Sequence, residues 1–212
     1  MSNLNFLHSG GNKVTLSAPT SDPSSNPNFK LPQADGSAGQ VLQTDGNGNL
    51  SFVNPPTNTP AFFAYWNANN SMTISNNTNT KATWLTAEDF DSDNAYNTST
   101  QTFTVPSGKG GFYTFNAGVQ MYSNGNSLRT VIIRLRKNGS GTWVAGNYSQ
   151  VMNADENRMR HHQAHLYATL NLVAGDTIEL MCYGTILSND LYISNDASGV
   201  KSNFLSGYKL IL

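Results

Sequence analysis

From residue 60 to the end of the chain, apolar residues recur at every second position, and short runs of Gly, Asn and Ser separate the alternating stretches. The clearest stretches lie at residues 113–121, 131–135 and 166–172. A period of two places apolar side chains on one face of a β-strand, whereas an amphipathic helix needs a period near 3.6. Many short strands joined by short turns predict an all-β fold, a β-sandwich or jelly roll.

Uncharged polar residues supply the solubility of this chain. Asn, Ser and Thr make up about a third of the 212 residues, whereas 12% are charged, about half the usual share. Thr suits strands, while Asn and Ser suit turns. The formal net charge of -1 predicts no nucleic-acid binding. The absence of an apolar run of about 18 residues predicts no membrane insertion.

The chain divides into three segments of different composition. Residues 1–30 combine a short strand-like piece, 13–17, with a Pro/Ser/Asn-rich stretch, 18–28, and are predicted to be an anchoring arm. Residues 31–59 contain a predicted hairpin and a Pro-rich linker. Residues 60–212 hold the predicted β-sandwich, with Cys182 as a small core residue.

The hairpin prediction rests on its turn residues. The Asp-Gly and Asn-Gly dipeptides at 45–48 favour a tight turn between strands at 40–44 and 49–53. Two short strands alone are only marginally stable in water. We therefore expect this segment to interlock with copies of itself from other chains.

Several motifs in residues 60–212 resemble those of the C1q/TNF-like jelly-roll domain. They are PAFFAY at 60–65, FD at 90–91 with TVP at 104–106, GGFYTF at 110–115, LNLVAGDTI at 170–178 and NFLSGY at 203–208. Their order and spacing agree over about 150 residues. The resemblance implies a jelly-roll head that forms a tight homotrimer, with aromatic and apolar residues around the threefold axis.

Residues 31–53 resemble a segment that recurs in phage tail fibres and related virion proteins. The N-terminus lacks the basic and apolar regions of a secretory signal, as expected for a phage component that assembles in the host cytoplasm. We therefore predict a phage structural protein at the virion surface, a trimeric head fibre or capsid decoration protein attached to a capsid or tail protein through residues 1–30. The alternatives are a short tail fibre or adhesin that binds a host surface glycan or protein, and a secreted bacterial C1q-like lectin.

No catalytic motif stands out in the sequence. A Gly-x-Ser-x-Gly elbow, a P-loop and a dinucleotide fingerprint are all absent. The two carboxylates of a glycoside hydrolase come together only in the folded protein, so the sequence does not exclude such a pair. We favour a non-enzymatic role without a cofactor over a polysaccharide depolymerase.

One acidic stretch has the spacing of a calcium loop. Asp89, Asp91 and Asp93 alternate as calcium ligands do, but Asn94 replaces the loop glycine and Thr100 the bidentate glutamate. We expect a turn that carries acidic side chains, with a calcium site as the alternative.

Two histidines of the HHQAH sequence at 161–165 are metal candidates only across a trimer axis. His161 and His165 share one face of a predicted strand, about 13 Å apart, so one ion within a chain cannot bind both. We expect a solvated or interfacial patch. Protonation of an interfacial patch near pH 6.5 would weaken a trimer.

Three aromatic residues near predicted loops are candidates for stacking on a host glycan. They are Trp143, Tyr148 and Tyr192. For Trp143, the favoured interpretation is that it begins a strand and packs inward.

Overall fold

The computed structural model describes residues 4–17, 19–21, 23, 28–68, 70–139, 141–150, 159–188, 190–194 and 200–211. These residues form strands and turns, and none of them belongs to a helix long and apolar enough to cross a membrane. The chain folds into two compact units, Met1–Pro56 and Thr57–Leu212. The division falls within the Pro-rich linker, close to the predicted boundary at residue 59.

The described part of the first unit contains two separate hairpins. Its strands are β1 (Leu4–Leu7), β2 (Lys13–Leu16), β3 (Val41–Thr44) and β4 (Leu50–Val53). The pairs β1–β2 and β3–β4 are antiparallel. Strands β2, β3 and β4 lie where the sequence predicted them, whereas β1 was not predicted. Most of the stretch 18–28 lies outside the described residues.

The turn between β3 and β4 is held by one carboxylate. Asp45 Oδ1 accepts hydrogen bonds from the backbone N–H groups of Asn47 and Asn49, at 2.8 and 3.1 Å. Gly46 and Gly48 take positive φ values of 81° and 86°, which glycine adopts at little cost. Lys30 exchanges backbone hydrogen bonds with Gly48 and Leu50, so the predicted boundary after residue 30 cuts through this small fold.

The second unit, which we call the head, contains thirteen strands in its described ranges. They are β5 (Ala61–Tyr65), β6 (Ser71–Ile74), β7 (Thr80–Lys81), β8 (Ala87–Asp91), β9 (Tyr96–Asn97), β10 (Thr102–Thr104), β11 (Gly111–Ser123), β12 (Leu128–Lys137), β13 (Trp143–Gln150), β14 (His161–Leu172), β15 (Thr177–Ile186), β16 (Leu191–Ser194) and β17 (Phe204–Lys209). The predicted strands at 113–121, 131–135 and 166–172 are the central parts of β11, β12 and β14.

The strand pairing defines a jelly roll. The eight main strands, in chain order, are β5, β10, β11, β12, β13, β14, β15 and β17. The first pairs with the last, the second with the seventh, the third with the sixth and the fourth with the fifth. Sheet one runs β8-β5-β17-β11-β14, with β16 and β6 beside the far half of β11. Sheet two runs β9-β10-β15-β12-β13, with β7 on β15. The predicted all-β jelly-roll sandwich is confirmed.

The core between the two sheets is rich in aromatic rings. Phe62 stacks on Phe103 and Tyr96, with ring centroids 5.0 and 5.1 Å apart, and Phe103 meets the edge of Phe115 at 5.5 Å. Rings at these spacings add attraction beyond their burial. Cys182 is 1% exposed, as predicted for a core residue, and burial raises the pKa of its thiol.

Gly207 of β17 lets the core rings approach the backbone of sheet one. A Cβ atom at this position would lie 2.8 Å from a ring atom of Phe115 and 3.0 Å from one of Phe62. Both distances are shorter than Cβ contacts normally are, so only glycine fits without movement of the core.

We expect Gly207→Ala to lower the free energy of unfolding by about 1–3 kcal/mol, because it overpacks the core. Gly141→Ala is the matched control, since no atom lies within 4 Å of a Cβ placed there, and it should change stability by less than about 0.5 kcal/mol. Urea denaturation followed by tryptophan fluorescence measures both. Equal effects of the two substitutions would contradict this account.

Candidate interaction surface

The outer face of sheet one is covered by aromatic and imidazole rings. Odd-numbered residues of β11 from Tyr113 to Met121 point into the core, so its even-numbered residues point outward with their cross-strand partners. We call the ring-bearing residues of this surface the aromatic face. Its members are Phe63, Tyr65, Phe90, Phe112, Tyr122, His161, His165, Tyr167, Tyr192, Phe204 and Tyr208.

The outer face of sheet two carries a network of charged groups. Arg136 Nε donates a hydrogen bond of 2.7 Å to Glu179 Oε2, and Lys81 pairs with the other carboxylate oxygen. Burial acts to raise the pKa of Glu179, but the hydrogen bonds from Lys81 and Arg136 outweigh it and lower the pKa. Polar and charged residues are expected on the solvent side of a sandwich, so the aromatic face is the exception.

One row of residues crosses all five main strands of sheet one. Register pairs join Tyr167 of β14 to Asn116 of β11, then to Ser206, Phe63 and Phe90 on β17, β5 and β8. Bulky rings therefore stand at both ends of the row, and small polar side chains lie in the middle. Tyr167 and Phe90 are 75% and 54% exposed.

A cavity of about 310 Å³ opens in this row. The backbone at Gly207 is part of its lining, whereas a side chain at that position would point into the core. The lining residues are Asn58, Ala61, Phe62, Phe63, Phe90, Asn116, Ser206, Gly207 and Tyr208. None of these nine residues is charged, so the cavity suits a neutral, largely apolar group.

Three rings stack at one end of the aromatic face. Tyr122 lies between His161 and Tyr192, with centroid distances of 5.1 and 4.7 Å. The Tyr192 hydroxyl donates to Asp190 at 3.1 Å, and this bond raises the pKa of Tyr192. Two of the sequence candidates, His161 and Tyr192, thus belong to one stack that also contains Tyr122, which the sequence did not single out.

His165 lies elsewhere on the aromatic face. Its ring is 6.4 Å from that of Phe204, which in turn stacks on Phe63 at 5.5 Å. His161 and His165 therefore share a face, as expected, but contact different rings. Within the described ranges, no three His, Cys, Asp or Glu side chains are grouped to hold a metal ion.

The three candidate calcium ligands face three different partners. Asp89 pairs with Lys201, and Asp93 lies 3.4 Å from Lys109. Asp91 instead accepts hydrogen bonds from the backbone N–H groups of Tyr96 and Asp93, at 2.7 and 3.3 Å. Asp91 thus organises the turn that follows β8, and the three carboxylates do not converge.

Asn94 occupies the tightest point of that turn. Its φ of 50° is in the left-handed region, which Asn tolerates better than most residues. The residue that replaces the calcium-loop glycine therefore has a glycine-like conformation, although the surrounding side chains serve the turn.

Trp143 and Tyr148 lie on β13, on the outer face of sheet two. An irregularity between Leu135 and Arg136 shifts the register, so that both rings flank Arg134. The Arg134 guanidinium lies 4.9 Å from the centre of the Trp143 ring. Trp143 is 39% exposed and Tyr148 is 59% exposed. The prediction that Trp143 begins a strand is correct, but the prediction that it packs inward is wrong, because the irregularity turns it outward.

Sequence reasoning did not identify the aromatic face as a surface. A signal is present in β5 and β17, where apolar residues occupy both alternating sets of positions, at 62–65 and, apart from Ser206, at 204–208. Such a pattern is typical of a strand that is buried on both faces. In the single chain only one face is covered, with Leu205 buried and Phe204 half-buried.

Comparison with known proteins identifies similar folds but no close relative. No family model matches the chain, and no curated protein matches it. Solved structures similar to it include the globular domain of zebrafish complement 1qA, with 13% identity, a TM-score of 0.46, and coverage of 72% of this chain and 98% of that one. Another is Eiger TNF from S. frugiperda, with 15% identity, a TM-score of 0.47, and coverage of 71% and 92%. The jelly-roll assignment rests on the strand pairing and does not depend on these similarities.

We expect the head to lose stability as the pH falls below about 6.5, the unperturbed histidine value. Burial, and then the charge of His165, lowers the pKa of His162, so the folded state binds a proton less readily than the unfolded state. The resulting loss begins near the unfolded pKa and is complete below the folded one. Because His162 is half-exposed, the effect should be below about 1 kcal/mol.

Urea denaturation at several pH values between 5 and 8 measures this loss. His162→Gln should flatten the dependence, whereas His8→Gln, which lies outside the head, should leave it unchanged. An identical slope in the wild type and the His162 variant would show that another group is responsible.

Proposed function

We propose that this chain is a non-enzymatic, homotrimeric structural protein of a phage particle, which displays the head at the virion surface as a head fibre or capsid decoration. The observation that carries the proposal is the aromatic face. Soluble monomers rarely expose large contiguous apolar patches, and such patches mark association surfaces. Burial of these rings between subunits would supply the free energy of association.

The geometry of the head supports association through sheet one rather than sheet two. The aromatic face is broad and consists mostly of uncharged rings, and Lys201 beside it pairs with Asp89 and lies over the rings of Tyr65 and Phe63. Identical copies can therefore approach each other without charge repulsion. A trimer is the assembly that the motif resemblance implies, and closed symmetric assemblies are the usual outcome for identical chains.

The N-terminal unit supports attachment to a larger particle. On one face of the β1–β2 hairpin, Leu4 pairs with Leu16 and Phe6 with Val14. All four side chains are more than half exposed. A two-stranded ribbon with an uncovered apolar face is only marginally stable alone, so contact with a capsid or tail protein would stabilise the β1–β2 hairpin.

The trimer can be tested on the isolated chain. We expect a mass three times the 23.0 kDa of one chain at micromolar concentration, measured by light scattering. Phe63→Asp should dissociate it, because the substitution places a charge in the apolar interface. Tyr148→Asp, on the opposite outer face, should remain trimeric. A stable wild-type monomer at that concentration would exclude the proposed assembly.

A second candidate function is adhesion to a host surface glycan. The observation in its favour is the exposed Trp143 ring on sheet two, with the Arg134 guanidinium over it at 4.9 Å and Tyr148 beyond. Aromatic faces stack on sugar rings, and neighbouring polar groups supply hydrogen bonds. Sheet two stays uncovered in a trimer formed through sheet one, so both functions can coexist.

The two roles make different predictions for the particle and for the isolated protein. Capsid decoration predicts density for the head at local threefold positions of the capsid in a cryo-EM map. Adhesion predicts that the isolated trimer binds host cells and that Trp143→Ala reduces binding about tenfold or more, as loss of an aromatic anchor does, whereas Tyr183→Ala elsewhere on sheet two does not. Heads located on the tail would exclude capsid decoration. Cell binding that is unaffected by Trp143→Ala would exclude adhesion through this ring.

A further inference from the structure

Tyr167 is the most exposed of the phenylalanine and tyrosine rings on the aromatic face. It projects from β14, the edge strand of sheet one, and is 75% exposed. Its neighbours along the outward side of β14 are His165 and Thr169, and its cross-strand partner is Asn116. Among the described residues, its ring and hydroxyl have no hydrogen bond or aromatic contact. A large amphipathic side chain with this exposure is typical of a residue that binds another molecule.

The 310 Å³ cavity lies in the same row, toward the opposite edge of sheet one. Phe63, Phe90 and Tyr208 supply apolar rings to its lining, together with the backbone at Gly207. Asn116 and Ser206 add an amide and a hydroxyl. A phenol ring matches this chemistry, since the apolar lining suits its ring and the polar side chains suit its hydroxyl. The absence of charge among the lining residues disfavours a charged ligand.

We propose that Tyr167 of each subunit inserts into this cavity of the neighbouring subunit. This inference rests on the trimer proposed above and specifies how its surfaces fit together. Asn116, at the near end of the cavity, is the cross-strand partner of Tyr167, but the apolar residues Phe63 and Phe90 lie three and four strand spacings away, about 14 and 19 Å. These distances are too long for the ring of Tyr167 to pack between them in its own chain. A second copy of the chain is therefore the occupant.

The distance between Tyr167 and the cavity on one subunit also explains how the assembly closes. The contact joins two different patches of one surface, which makes it heterologous. Repetition by a threefold rotation uses each tyrosine and each cavity once and leaves none open. Residues that bury an aromatic anchor in a pocket dominate association energetics, so this contact would decide whether trimers form at a given concentration.

Photo-crosslinking tests the contact directly in the full-length chain. Tyr167 is replaced by p-azidophenylalanine, a photoreactive residue close to tyrosine in size, and the protein is irradiated and separated on a denaturing gel. We expect covalently linked subunits, with the crosslink mapped by mass spectrometry to Phe63, Phe90 or Tyr208. The same replacement at Tyr148, on sheet two, should give no linked subunits.

Substitutions supply an independent measurement. Tyr167→Ala should raise the dissociation constant of the trimer on the order of thirtyfold, as loss of a buried anchor does. Ser206→Trp, which fills the cavity from inside, should have a similar effect, and the double variant should be no weaker than either single one. Thr169→Ala, on the same strand and face, should leave association unchanged. Circular dichroism checks that each variant folds.

The outcomes separate this inference from the trimer itself. A trimeric wild type whose crosslinks join residue 167 of two subunits, or join nothing, would overturn the inserted tyrosine but keep the trimer. Additive losses in the double variant, or a dimeric wild type, would also overturn it. A monomeric wild type would overturn both proposals.

Discussion

The pleat of β11 is the constraint on which the structure depends. This strand runs for thirteen residues and pairs with β14 along most of its length, and with β17 and β16 on its other side. Because successive side chains point to opposite faces, the strand fixes both faces of sheet one at once. Tyr113 and Phe115 are thereby committed to the core, and Asn116 and Tyr122 to the exterior. A slip of one residue would exchange the two sets.

Gly207 affects the core side of sheet one. Its hydrogen allows the rings of Phe62 and Phe115 to pack against β17, because a Cβ there would lie 3.0 and 2.8 Å from atoms of these rings. On the outer face, the backbone at the same position lines the cavity beside Phe63, Phe90 and Tyr208. Core packing therefore fixes the position of the strand that carries part of the surface through which we propose that subunits associate.

Charge has a local role in this molecule. The ion pairs of Glu179 with Lys81 and Arg136 lie on the outer face of sheet two, and Asp176 joins Lys137 and Asn138 at the turn before β15. Burial acts to raise the pKa of Asp176, but hydrogen bonds from Lys137, Val173 and Asn138 lower it. These interactions lie on sheet two and its turns, while Lys201 beside the aromatic face is paired with Asp89. A surface almost free of charge can meet a copy of itself, since desolvation and repulsion cost little there.

The sequence by itself determined the all-β class, the positions of the long strands, the β3–β4 hairpin and the burial of Cys182, because alternation and turn chemistry are local properties. It also placed His161 and His165 on one face, through the same period of two. Only the tertiary structure decided which side chains become neighbours across strands. Tyr167, Asn116, Ser206, Phe63 and Phe90 come from five separate strands, and no local pattern could place them in one row. The outward turn of Trp143 likewise depends on an irregularity in its pairing with β12, and the partners of Asp89, Asp91 and Asp93 depend on loops distant in sequence. Local periodicity therefore predicted the elements, and long-range pairing created the surface.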